Sequence, residues 1–129
     1  MKPRTAVLAL IVAAHAVSLY AQETLVGKYA GTFVMKSTNR GVVPIPITLE
    51  IASASDGKLR ARAVRSSSSR IGAGCAGEYK LAGTYKGHNI RMKSEPGGPA
   101  KDCVLNFRLV ADGTRLKGKM NGFDVDFSK

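Results

Sequence analysis

The sequence predicts an all-β protein: a small, eight-stranded antiparallel meander barrel carrying one disulfide. Three observations predict it. A phrase L-x-G-x-Y-x-G spans Leu25 to Gly31, returns from Leu81 to Gly87, and comes back as L-x-G-x-M-x-G from Leu116 to Gly122. Side chains alternate across a strand, so the two glycines and the large residue between them share a face, and glycines inside strands mark bends where a sheet curls. Apolar and polar residues alternate through most of the chain, and no segment holds helical periodicity over a useful length. Finally, Asp56-Gly57 and Asp112-Gly113 are hairpin-turn dipeptides set between alternating runs.

The strands follow in order. The first, 26–35, holds the first phrase and puts Tyr29, Phe33 and Met35 on one face. The second, 45–53, does the same with Ile45, Ile47, Leu49 and Ile51. Pro44 and Pro46, two apart, lack amide donors toward the same neighbour, so pairing must fail there; either the barrel opens at a seam or the strand begins only at Ile47. Strand 58–65 leaves the Asp56-Gly57 turn with Lys58, Arg60 and Arg62 alternating with Leu59, Ala61 and Ala63. Strand 77–85 contains Tyr79, Leu81 and Tyr85; strand 87–93 contains Ile90 and Met92; strand 102–110 contains Leu105, Phe107 and Leu109. The third phrase forms 114–120 with Leu116 and Met120, and the chain closes with 122–128 and Phe123, Val125 and Phe127. One apolar face per strand suits a soluble barrel with its core inside, whereas an outer-membrane barrel turns that face to lipid.

Residues 1–21 read as a secretory signal peptide: Lys2 and Arg4, an apolar run from Ala6 to Ala14, then small residues before a cleavage site after Ala21 or, alternatively, after Ala14-His15-Ala16. A spanning helix needs about 20 apolar residues, and this run is about half that. Residues 22–129 then form a single domain, expected in the periplasm or outside the cell. Losing Lys2 and Arg4 lowers the formal charge from +11 to +9. So cationic a domain attracts anionic partners, while export disfavours nucleic acid as one.

In an oxidising compartment the only two cysteines, Cys75 and Cys103, are expected to pair. In a meander they begin strands separated by one other, roughly 9.5 Å apart at about 4.8 Å per strand, whereas a disulfide needs α-carbons within about 7 Å. The glycine-rich loop carrying Cys75 must therefore fold inward over the barrel end. The irregular stretches 66–77 and 94–101 lie at that same end.

Candidate sites are few. Lys58, Arg60 and Arg62 form an outward row near Arg65 and Arg70, where an anionic envelope polymer could dock; the plainer reading is an edge strand guarded by charge. Tyr29, Tyr79 and Tyr85 bring polar groups to an apolar interior, so their hydroxyls meet either backbone or a small apolar ligand. His88 sits at a turn without a nucleophile or orienting acid near it in sequence. Asp124 and Asp126 face outward opposite Lys117 and Lys119, as cross-strand charge pairs. No catalytic residue, metal ligand or cofactor site is assigned.

Tyr79-Lys-Leu-Ala-Gly-Thr-Tyr85 resembles the Y-x-L-x-G-x-Y strand of avidin-like barrels, and Gly27-Lys-Tyr29 is similar to the G-x-W opening of lipocalins with tyrosine for tryptophan. The resemblance implies architecture only. Avidin-like sites box biotin with tryptophans and this chain has none, so biotin binding is not carried over. The expected function is non-catalytic binding of a small apolar ligand or a protein partner. The alternatives are an inhibitor or immunity-type protein that blocks an enzyme such as a lysozyme, and a binder of anionic envelope polymer.

Overall fold

The computed structural model describes residues 24–37, 41–66, 73–99 and 102–129. The strands are β1 (Gly27–Ser37), β2 (Gly41–Ser55), β3 (Lys58–Arg65), β4 (Gly77–Lys86), β5 (Asn89–Ser94), β6 (Asn106–Asp112), β7 (Arg115–Met120) and β8 (Phe123–Ser128), with a short 3-10 turn at Ala73–Cys75. Each strand pairs antiparallel with the next, and β8 returns to β1, closing the barrel in chain order. The leader expected over 1–21 lies outside the described residues.

Alternation builds the core as expected. On β3, Leu59, Ala61 and Ala63 are buried between exposed Lys58, Arg60 and Arg62. Phe33, Ile45, Phe107 and Phe127 are fully enclosed, and the Phe107 and Phe127 rings lie 6.0 Å apart. Phe123 departs from expectation. It shares the inward parity of Val125 and Phe127, but the β1–β8 ladder stops at Phe33 opposite Val125, leaving it on the rim at 36 % exposure.

Pro44 and Pro46 fall inside β2 and open no seam. Both stay in register with β1, opposite Val34 and Thr32. Their imino sides face β3, whose ladder with β2 ends at Arg65 opposite Ile47, and the Pro46 carbonyl accepts the Ser66 amide at 3.1 Å. The missing donors thus fall beyond the Arg65 end of the β2–β3 ladder. Closer to the Asp56-Gly57 turn, an irregularity between Ile51 and Ser53 adds one residue to β2 and shifts the buried parity to Ala54.

Five of the six glycines of the repeated phrase divide into two jobs. A β-carbon built on Gly31, Gly83 or Gly118 would lie 2.0 Å from a backbone oxygen of the neighbouring strand, at Asp126, Arg91 and Arg108 respectively. These three permit close strand approach on the inner face. Gly87 and Gly122, expected to start strands, stand in hairpin turns with φ of 60° and 85°. Asp56-Gly57 and Asn121-Gly122 take positive φ at both central residues, as a type I′ turn requires. At Asp112-Gly113 the turn sits one residue later than expected: Asp112 ends β6 opposite Arg115, and Gly113 and Thr114 turn the chain.

This up-and-down order sends β1, β3, β5 and β7 toward one end of the barrel, called here the loop end. Thr24 and Lys129 meet at the opposite end, where the lysine amino group donates to the Thr24 carbonyl at 2.8 Å.

Candidate functional site

Cys75 and Cys103 are bonded across the loop end, their α-carbons 5.4 Å apart. Cys75 ends the 3-10 turn ahead of β4, and Cys103 precedes β6, so the bond reaches over β5 as the spacing demanded. Two further ties hold this end. The Tyr79 hydroxyl donates to the Cys75 carbonyl. Leu105 exchanges hydrogen bonds with Ser94, its amide donating to Oγ at 2.9 Å and its carbonyl accepting the Ser94 amide at 2.9 Å.

The interior tyrosines turn to backbone. Tyr29, Leu49, Ala63 and Tyr79 stand in one cross-strand row, the small alanine leaving space between large neighbours. The Tyr29 hydroxyl donates to the Leu25 carbonyl at 2.8 Å, four residues back, repeating the relation of Tyr79 to Cys75. Tyr85 is half-buried. Clefts on the outer wall lie between Lys28, Glu50 and Arg62 and between Thr84, Arg91 and Arg108.

Burial pushes the Tyr29 phenol above its usual pKa of 10.0. A folded-state pKa above the unfolded one adds stability that is complete below about pH 10 and lost as pH climbs toward the folded value. Stability is therefore expected to fall above pH 10, with the Tyr29 phenol ionising late in an ultraviolet titration. Tyr29→Phe should remove that late phenol and cost about 0.5–1.5 kcal/mol for the lost hydrogen bond. A phenol that still ionises late in Tyr29→Phe would assign the behaviour elsewhere.

The expected cation row separates into parts. Arg60 pairs with Glu95 at 3.2 Å and Arg62 with Glu78 at 3.0 Å. Lys58 is exposed at the start of β3. Arg70 lies outside the described residues. Arg65 is not on the outer wall at all: two residues beyond Ala63, it shares the inward parity and is only 9 % exposed. Its guanidinium lies 5.1 Å from the centre of the Phe33 ring and its Nη2 contacts the Met35 sulfur at 3.7 Å. Its Nε is buried and has no hydrogen-bond partner among the described residues.

The loop end also exposes apolar side chains, Val42 and Val104 with outward parity beside the more buried Val43, Cys103 and Leu105. Val42 is 62 % exposed, Val104 45 % and Phe123 36 %, while Met35 and Val43 are partly covered. Exposed single valines are ordinary, but a desolvated arginine in contact with the half-covered Met35 at the end of the barrel combines the traits of an interface centre.

The remaining expectations concern the surface. His88 is exposed in the β4–β5 turn, where its carbonyl accepts the Ala111 amide at 2.8 Å. Lys119 pairs with Asp124, as the register places it, whereas Asp126 takes Arg115 at 2.6 Å rather than Lys117 directly opposite. The sequence reading passed over Arg91 and Arg108, which face each other across β5 and β6 on the outer wall. Both were visible as outward cations, but only register brings them together.

Among the described residues no helix is long and apolar enough to cross a membrane. No family model, curated protein or solved structure matches this chain.

Proposed function

We propose that this protein is a non-catalytic binding protein, exported to the periplasm or beyond, that engages a protein partner with the loop end of its barrel. The carrying observation is Arg65. A buried guanidinium without its full set of partners costs stability, and replacing such a charge by an apolar side chain of similar volume is often neutral or stabilising. Its retention at the end of the barrel, with Nε unpartnered among the described residues, suits an anchor that receives a partner's carboxylate. The disulfide and the Tyr79 and Ser94 bonds hold the surrounding backbone in place, which lowers the ordering cost of association. The barrel is consistent with a lipocalin-like architecture, and a kinship with such barrels is part of this reading. A small apolar ligand inside the barrel is less favoured, because Phe33, Phe107 and Phe127 occupy the interior and two of the three candidate tyrosines are bonded to backbone. An inhibitor or immunity-type protein that blocks an enzyme uses the same kind of rigid end.

Arg65→Met is the test. The variant is expected to melt no lower than the parent, while a photo-crosslinker at Val42, which captures a discrete partner in the native host, loses that product when Arg65 is changed. A variant that loses about 3 kcal/mol or more and still captures the partner makes Arg65 a structural residue and sinks the proposal. Turnover of model esters, glycans or phosphates, abolished by a point mutation, overturns the non-catalytic assignment.

A further inference from the structure

We propose that the outer wall carries a second binding site, distinct from the loop end, for the phosphoryl oxyanions of a multivalent phosphate compound, centred on Arg91 and Arg108. The register lays out one outward row across six strands: Lys58, Thr84, Arg91, Arg108, Lys119 and Asp124. Arg91 and Arg108 are direct partners in that row. Residues so placed have β-carbons about 4.5–5.5 Å apart, and like charges there destabilise a sheet.

The pairing of the other outward arginines makes this arrangement informative. Arg60, Arg62 and Arg115 each have an acid: Glu95, Glu78 and Asp126. Arg91 and Arg108 form no ion pair and no side-chain hydrogen bond with any described residue. Their cleft on the wall is lined by Thr84, Lys86, Asn89 and Val110, with no acidic side chain.

The geometry favours phosphate over carboxylate. One guanidinium fork satisfies the two oxygens of a carboxylate, whereas a terminal phosphate offers three oxygens and close to two charges, matching two converging forks. The Thr84 hydroxyl stands beside Arg91 in the row to donate to the same group. Lys86 and Lys93 on the neighbouring rows lie about two residues away along the strands, placed for adjacent phosphates of a chain or a headgroup surface. Charge complementarity of this kind draws the ligand by steering and weakens steeply with salt.

The test titrates the purified full chain with sodium tripolyphosphate, which ends in terminal phosphates, by calorimetry, and in parallel sediments it with vesicles of phosphatidic acid, a phosphomonoester, in phosphatidylcholine. Arg91→Gln with Arg108→Gln is expected to weaken binding by about tenfold or more, without lowering the melting temperature, since the variant relieves a repulsion. Lys28→Gln with Lys80→Gln removes the same charge elsewhere on the wall and should change affinity by about twofold at most. Tripolyphosphate binding without vesicle binding identifies a free phosphate chain, and the reverse a lipid headgroup; either supports the site. Equal losses in the two double variants show general cationic attraction and overturn it. Failure of both probes to bind at low ionic strength also overturns it. Neither result bears on Arg65 and the loop end.

Discussion

Replacing Cys75 and Cys103 together by alanine is expected to lower the stability of the domain by about 3–4 kcal/mol. The bond closes a loop with a sequence separation of 28, for which chain entropy alone gives about 3.6 kcal/mol. Against a total of about 5–15 kcal/mol for a domain of this size, that is a large share. The loss should appear in urea unfolding as a lower midpoint with a somewhat steeper slope, because the unlinked chain exposes more surface when unfolded. Cys103 is buried in the core cluster, so alanine avoids placing a serine hydroxyl there. A loss below about 1 kcal/mol would show that the bond contributes little beyond the Tyr79–Cys75 and Ser94–Leu105 hydrogen bonds. Such a result would also remove the rigidity on which the proposed loop-end interface depends.

Gly31→Ala is expected to destabilise by about 1–3 kcal/mol, at the upper end of that range, from the addition of one methyl group. The new β-carbon would lie 2.0 Å from the Asp126 carbonyl oxygen and 2.9 Å from the Phe127 α-carbon. No side chain can swing aside to relieve this, because both atoms are backbone. Gly31 also stands in the shortest ladder among the described residues, where Ala30–Phe33 meet Val125–Ser128 and close the barrel. Hydrogen exchange should accelerate along that seam before it does between β2 and β3. If Gly31→Ala keeps parental stability and protection, the strands do not approach so closely there. Gly83 and Gly118 face equivalent contacts and should respond similarly, but within longer ladders.

Much of the fold was legible because alternation is a local property. Leu59, Ala61 and Ala63 announce their face from their own neighbours, and a closed meander needs little more than eight such strands with hairpin turns between them. Phe123 eluded that reading because parity gives a side chain's direction but not whether anything lies above it. The Asn121-Gly122 turn was hidden by the repeated phrase, in which the same glycine looked like a strand residue. Arg65 was legible in principle as inward, two residues past Ala63, yet it was grouped by charge with the nearby row of Lys58, Arg60 and Arg62 and its parity was not read.

The amino-acid sequence by itself determined the strand number, most of the inward residues and the pairing of the two cysteines, because each follows from period-two patterning or from there being only one possible partner. Only the tertiary structure decided which cations are neutralised and which are left bare. Glu95 reaches Arg60 from 35 residues away and Arg91 meets Arg108 across a ladder, relations set by register and loop path. It likewise decided that Tyr29 and Tyr79 spend their hydroxyls on backbone carbonyls and that Arg65 lies desolvated against Phe33. Electrostatic and hydrogen-bonding partners depend on distances of a few ångströms between residues far apart in the chain, and a one-dimensional pattern carries no such distances.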